Sequence, residues 1–270
     1  MRPKDRILDV FGLFAREHGG WIAVSDLIVL MAELGVDAQA VRSAASRMKR
    51  SDLLVAERVD GKAGYALSDR GLRILEDGDR RIFPASTRSD AESWVLILFS
   101  VPESERKKRY LIRSRLARLG FVQGPAASWI APASLLEEAR RMLERNGLDR
   151  YVTLFEGEFR ALSGAPDVAD AWDLQGIQMR YQEYLAVYRP IAESWIASPG
   201  TDRDAFVHHM NNIGDWRPLP YADPGLPATI TPPGWLAEES RGVFATLNRQ
   251  LRPGAQRFYR ETVAGSAGVP

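Results

Sequence analysis

Ile7, Leu8, Val10, Phe11 and Phe14 recur at the three- and four-residue spacing of a helix, behind a Pro3 suited to a first helical turn. His18-Gly19-Gly20 ends that pattern, and His18 reads as a polar residue at the helix end. A second stripe, Leu27, Ile28, Leu30, Met31 and Leu34, predicts a helix capped by Ser25 and closed by Gly35. After a tight turn, Asp37 is placed to cap a third helix over about residues 38–51. A strand at 53–58, an Asp60-Gly61 turn and Tyr65-Ala66-Leu67 predict a hairpin, and Ser68 a cap for a further helix to about Phe83. Pro84-Ala85-Ser86-Thr87 reads as a linker.

Beyond it the pattern changes. Residues 94–101, opening on the apolar run Trp94 to Phe99, read as a buried strand. A basic amphipathic helix is predicted from Ser104 to Leu119, with Gly120 as its stop. Phe121-Val122 and Ser128-Trp129-Ile130 flank a Gly124-Pro125 turn. A helix capped by Ser134 runs to about Asn146, and Tyr151-Val152-Thr153-Leu154-Phe155 reads as a third strand. Strands and helices alternating within about 75 residues suggest a small ferredoxin-like unit. Gly164-Ala165-Pro166 marks the next boundary. The last third is rich in Trp, Tyr and Pro: one helix carries Tyr181, Tyr184, Leu185 and Tyr188 until Pro190 interrupts it, residues 218–233 form a proline-dense loop, and a final helix holds Val243, Phe244, Leu247 and Leu251. The expected class is α+β, with an N-terminal winged helix-turn-helix over 1–88, a middle ferredoxin-like domain over 89–165 and a mainly helical C-terminal domain over 166–270.

The third helix carries the chemistry. On a wheel of about 100° per residue, Ala45 and Met48 fall within about 40° of Val41 and make a core stripe. Gln39, Ser43, Ser46 and Arg50 lie opposite, flanked by Arg42 and Arg47, and no carboxylate occurs from Ala38 to Arg50. Gln suits adenine edges, Arg suits guanine O6 and N7, and Ser suits either or a phosphate. Following a helix and a short turn, this face has the order of a helix-turn-helix reading a major groove. Arg58 and Lys62, on or beside the hairpin, are placed for phosphates or the minor groove. The competing reading is a merely solvated polar face.

Composition changes this picture little. Hydrophobic residues make up 45% of the 270 and charged residues 26%, as in ordinary soluble proteins. No apolar run approaches the ~18–20 residues of a membrane span, and the N-terminus lacks the pattern of a signal peptide. Cysteine is absent, which removes disulfides, thiolate nucleophiles and cysteine metal sites. These features predict a cytoplasmic protein. The net charge of +1 is uneven: 91–165 carries 12 Lys+Arg against 9 Asp+Glu, and 166–270 carries 9 against 12. The acidic last third is the part least suited to phosphates.

Asp26-Leu27-Ile28-Val29-Leu30, Gly35-Val36, Val41-Arg42-Ser43-Ala44-Ala45-Ser46-Arg47-Met48 and Tyr65-Ala66-Leu67-Ser68-Asp69-Arg70-Gly71 together resemble the PaaX-like family, repressors of phenylacetic acid degradation genes. Ala171-Trp172-Asp173-Leu174, Asp223-Pro224-Gly225-Leu226-Pro227 and Gly234-Trp235 are similar to it as well. The resemblance spans nearly the whole chain. It implies a winged-helix reader, a middle domain similar to the CRISPR adaptation nuclease and a helical C-terminal domain. It also implies a homodimer on double-stranded operator DNA, released by an aryl-acyl-CoA effector such as phenylacetyl-CoA. Residues 211–218 depart from the family, which usually has an arginine-rich helix end there, and this bears on the effector's identity. Trp172, Arg180, Tyr184, Tyr188 and Trp216 are the residues among which an aromatic effector would first be sought, against the reading of the aromatics as core.

Other chemistries fit less well. A nuclease needs a carboxylate at the end of the first middle-domain strand, and none occurs before Glu103. The basic helix Arg106-Lys107-Lys108-Arg109, with Arg113 and Arg115, reads as a solvated face, with DNA or CoA phosphate as the alternative. His208-His209 are adjacent and so do not share a helix face; no metal is expected. No nucleophile elbow, dinucleotide fingerprint or P-loop occurs, so neither a catalytic residue nor a cofactor is expected. An acyl-CoA-binding or enzymatic protein with a vestigial winged helix is the second reading.

Overall fold

The stripe read from Ile7 to Phe14 becomes α1 (Pro3–Leu13), with Ile7, Val10 and Phe11 fully buried. The structure, a computed structural model, describes residues 2–83, 93–124, 127–160 and 168–265. The linker expected at 84–87, Pro125 of the expected turn and the boundary expected at 164–166 lie outside these residues. A short strand β1 (Trp21–Ala23) precedes α2 (Val24–Ala32) and α3 (Ala38–Arg50). Then come β2 (Leu54–Val59), β3 (Lys62–Leu67) and α4 (Asp69–Ile82). Val59 pairs with Lys62 across Asp60 and Gly61, both at positive φ (51° and 79°), as a two-residue hairpin turn requires. Ser68 caps α4 by accepting from the Gly71 amide at 3.0 Å.

Sequence pattern did not anticipate β1. It pairs antiparallel with β3, Trp21 opposite Ala66, giving the strand order β1-β3-β2. A Cβ on Gly64 would lie 2.3 Å from the Trp21 ring and 2.5 Å from the Ile22 carbonyl oxygen, so only glycine lets β1 close this edge. Ser25 does not cap α2: its hydroxyl donates to Asp26 and the N-cap is Ala23.

The middle segment is β4 (Ser93–Phe99), α5 (Arg106–Leu119), β5 (Val122–Gln123), β6 (Trp129–Pro132), α6 (Leu136–Arg145) and β7 (Val152–Glu158). Its sheet is antiparallel throughout, in the order β5-β6-β4-β7. Val95 and Ile97 of β4 meet Ile112 and Leu116 of α5 and Ala139 and Leu143 of α6 in one core. Gly120, at φ 94°, terminates α5 as expected. Ser134 does not cap α6; its hydroxyl donates to the Pro224 carbonyl at 3.4 Å, and one short turn precedes the helix.

The C-terminal region is helical: α7 (Leu174–Ala197), α8 (Asp202–Trp216), α9 (Leu219–Ala222) and α10 (Ala237–Gly265). Pro190 does not interrupt α7, contrary to its reading as a break. Pro190 and Ala186, whose carbonyl it leaves unpaired, are both exposed, so water can satisfy that group. Two compact units result. One comprises Met1–Pro84, Tyr184–Arg217 and Glu239–Pro270; the other comprises Ala85–Glu183 and Pro218–Glu238. The C-terminal third therefore contributes to both.

Candidate nucleic-acid interface

The Asp37 carboxylate accepts from the Ala40 amide at 2.8 Å and fixes the start of α3. Val41, Ala44, Ala45 and Met48 are buried, which sets the helix roll and turns the other side outward. On that side Gln39, Arg42, Ser46, Arg47 and Arg50 are exposed and Ser43 is half-buried. Among the described residues, no ion pair or side-chain hydrogen bond restrains these six. With no acidic residue on the helix, the face presents three guanidinium groups interleaved with amide and hydroxyl groups, a donor-rich surface matched to acceptor-rich base edges and phosphates. The wing residues behave differently. Arg58 is exposed but donates to the Gly61 carbonyl at 3.1 Å, and Lys62 is half-buried.

The base under α3 is built from distant sequence, which pattern reading did not reveal. Phe14 lies stacked on Tyr259 of α10 at 5.3 Å and against Phe206 of α8 at 5.4 Å. Arg203 pairs with Glu33, and Arg252 and Gln256 hold Glu17. Asp9 of α1 accepts from Arg217 at 2.6 Å, just beyond α8, while its second oxygen is buried without a partner among the described residues.

Burial pushes the Asp9 carboxyl up to about 7, against the attraction of Arg217 and with help from Asp5. Its folded pKa thus exceeds its unfolded one, so the native state holds the extra proton between them. Stability from this group is complete below the unfolded pKa and lost as pH rises through about 7, at up to about 1.4 kcal/mol per pH unit. The thermal midpoint of the wild type, relative to Asp9→Asn, should therefore fall between about pH 5 and pH 8. A flat or rising difference would show that Arg217 outweighs desolvation.

The residues among which an effector was sought are divided between the two units. Tyr184 stacks on Tyr188 at 4.7 Å and packs on Trp216 at 5.3 Å. All three are buried, with hydroxyls donating to Asn212 at 2.6 Å (Tyr184) and Asp215 at 2.7 Å (Tyr188), and the Trp216 indole donating to the Ile82 carbonyl. Burial pushes both phenols up. These side chains are a hydrogen-bonded core of the first unit. Trp172 belongs to the second, against Trp94 at 5.8 Å, where Arg180 is exposed. Room for a small molecule exists in that second unit, in a cavity of about 650 Å³ between Leu174, Gln178, Met179 and Gln182 of α7 and Ile230 and Pro232. No apolar periodicity marks those glutamines, so the sequence offered only their i, i+4 spacing.

The remaining rivals also acquire partners. His209 is buried with Nε2 2.9 Å from Asn248 and is pushed down to about 4 by burial, while His208 packs edge-on against Trp195. His18 Nδ1 lies 2.9 Å from the Phe14 carbonyl, at the helix end. Glu103 and Glu105 past β4 are held by Arg109 and Lys108. Among the described residues, no helix is long and apolar enough to cross a membrane.

Three family models match the chain in succession: PaaX-like protein over 2–71, the PaaX protein central Cas2-like domain over 87–169 and the PaaX-like protein C-terminal domain over 172–261. The chain belongs to the PaaX-like family. A relative within it, the transcriptional repressor PaaX of Escherichia coli (strain K12), is 25% identical over 268 residues, covering 97% of this chain and 84% of that one. Members of the PaaX-like family are transcriptional repressors, not enzymes. The solved structure of an uncharacterized protein from Mycobacterium tuberculosis, Rv0674, superposes with a TM-score of 0.55 over 92% of this chain and 96% of that one. At 21% identity that likeness concerns the fold alone.

Proposed function

We propose that this PaaX-like chain is a cytoplasmic, DNA-binding transcriptional repressor of aromatic (phenylacetate) catabolism genes, released from its operator by an aryl-acyl-CoA such as phenylacetyl-CoA. The observation that carries the DNA reading is the exposed, unpaired, carboxylate-free face of α3. In this reading α1–α4 and β1–β3 are a winged helix-turn-helix. The α3 face enters the major groove, and the β2–β3 hairpin is the wing that brings Arg58 and Lys62 to the backbone or minor groove. The middle segment, whose strand order is that of a ferredoxin-like βαββαβ unit, serves as scaffold and dimer contact. The C-terminal helices receive the effector. The repressor role is supported by the relative from Escherichia coli, and the effector class by the family resemblance. The uncharged cavity beside α7 suits the acyl and amide portions of such a molecule, with exposed Arg180 next along the helix for a phosphate.

The test is selection of bound duplexes from a random-sequence pool, followed by titration of phenylacetyl-CoA against the recovered complex. A homodimer of this kind should enrich a partly palindromic site with half-sites about 34 Å, or a multiple of that, apart. Phenylacetyl-CoA should then lower DNA affinity, and by reciprocity DNA should lower affinity for it. Recovery of no common sequence would remove the operator-reading role. Tight ligand binding that leaves DNA affinity unchanged would remove the effector.

A further inference from the structure

Charge in the middle segment is concentrated on one helix. The 14 residues of α5 hold seven Lys or Arg and no Asp or Glu, whereas the rest of 91–165 holds five against nine. On a wheel of about 100° per residue, Arg106, Tyr110, Arg113 and Ala117 fall within about 60° of one another, with Lys107, Ser114 and Arg118 on their flank. Ile112, Leu116 and Leu119 point the other way, into the core. Arg106, Lys107, Arg113 and Arg118 are all exposed, and among the described residues none meets a carboxylate. Tyr110, in their midst, is 77% exposed, far more than the other exposed large apolar or aromatic side chains.

A solvated helix of this protein looks different. On α6, Arg140 sits between Glu137 and Glu144 at 2.9 and 3.2 Å and is neutralised within its own helix. On α5 itself the cations at the margin, Lys108 and Arg109, are engaged by Glu105, Tyr151, Glu103 and the Val101 carbonyl. Among the described residues, the exposed cations of the outward row meet no counter-charge, and the half-buried Arg115 lies outside that row.

The row spans Arg106 to Arg118, about 18 Å at ~1.5 Å per residue. A small anion would need donors that converge on one point. Charges strung out over that length suit an extended polyanion with phosphates at regular spacing. The face has no apolar side chain besides Tyr110 and Ala117, so it lacks what an interfacial membrane helix inserts.

We infer that the outward face of α5 is a second DNA-contacting surface, gripping the phosphate backbone of a duplex without sequence preference. This rests on the DNA reading proposed above. Arg106, Lys107, Arg113 and Arg118 each neutralise phosphate charge, and the Tyr110 hydroxyl donates to the backbone between them. Contacts of this kind act through counterion release, so their signature is a salt slope rather than a sequence.

The experiment measures anisotropy of a labelled 60-base-pair mixed-sequence duplex with the full chain over a salt series, for the wild type and for R106Q/K107Q/R113Q/R118Q. The expected result is a slope of log affinity on log salt shallower by about 3 to 4, and affinity at least about tenfold lower at ~0.1 M salt. The charge-keeping variant R106K/R113K/R118K should retain the wild-type slope, and an unchanged thermal midpoint for each variant excludes unfolding. An unchanged slope in the quadruple variant overturns the inference. If R42A/R47A still loses DNA binding in that case, the operator-reading role stands by itself. If neither set of substitutions alters DNA binding, both fail. A quadruple variant that binds DNA normally but no longer binds coenzyme A in calorimetry also overturns the inference, in favour of a small phosphorylated ligand.

Discussion

Phe14→Ala is expected to lower the stability of the chain by about 3–5 kcal/mol, the cost of removing a buried aromatic ring from a core that cannot collapse around the gap. Phe14 has no solvent exposure. Its ring is enclosed by Tyr259 at 5.3 Å, Phe206 at 5.4 Å and, edge-on, His209 at 6.0 Å. Those rings come from α8 and α10, and two of them are held further: Phe206 packs on Phe258 at 5.2 Å, and His209 is hydrogen-bonded to Asn248. Rigid neighbours relax poorly, so the cavity term should be large. Denaturant unfolding followed by far-UV circular dichroism measures the effect. A cost below about 1 kcal/mol would mean that α1 does not depend on the C-terminal helices for its place. In that case the pairs Arg217–Asp9 and Arg252–Glu17 would add little to an independently folded N-terminal segment. With a large cost, the base on which α3 sits includes residues about 200 positions further along the chain, and anything that shifts α8 or α10 shifts it too.

This dependence also explains where sequence reading stopped. Asp37, the Val41/Ala45/Met48 stripe and the Asp60-Gly61 turn are local signals: a cap, a period and a pair of positive φ angles each act within a few residues. They identified α3, its outward face and the hairpin. By contrast, β1 is three residues long, too short for an alternating pattern to register, and its existence turns on a glycine in another strand. Apolar stripes on α1 and α10 announce burial without naming the partner, because hydrophobic contact is not directional. Tyr184, Tyr188 and Trp216 were ambiguous for a related reason. An aromatic side chain with a polar tip suits both a ligand pocket and a core, and the hydrogen-bond partners Asn212, Asp215 and the Ile82 carbonyl, which tie these three into the first unit, leave no local pattern in the sequence. Conversely, Gln178 was passed over because an amide contributes nothing to a hydrophobic pattern, although it donates to the Gly234 carbonyl and accepts from the Leu236 amide beside the cavity.

Arg42→Ala and Arg47→Ala should each weaken binding to the selected operator by about 1–3 kcal/mol, roughly 5- to 150-fold, if each guanidinium makes a bidentate base contact. Both side chains are exposed, neither is paired among the described residues, and neither supports the core, so a folding defect is not expected to contribute. They lie five residues apart on α3, beyond the three- and four-residue spacing at which helix neighbours interact, so the two losses should be nearly additive. The lysine variants separate base reading from simple charge. Arg42→Lys and Arg47→Lys keep the charge and lose the fork, so affinity for random duplex should persist while preference for the operator falls. Gel-shift titrations of each variant, on operator and on random duplex at matched salt, provide both numbers. If both alanine variants bind the operator as the wild type does, α3 does not face the bases, and its unpaired guanidinium groups are no more than a solvated surface.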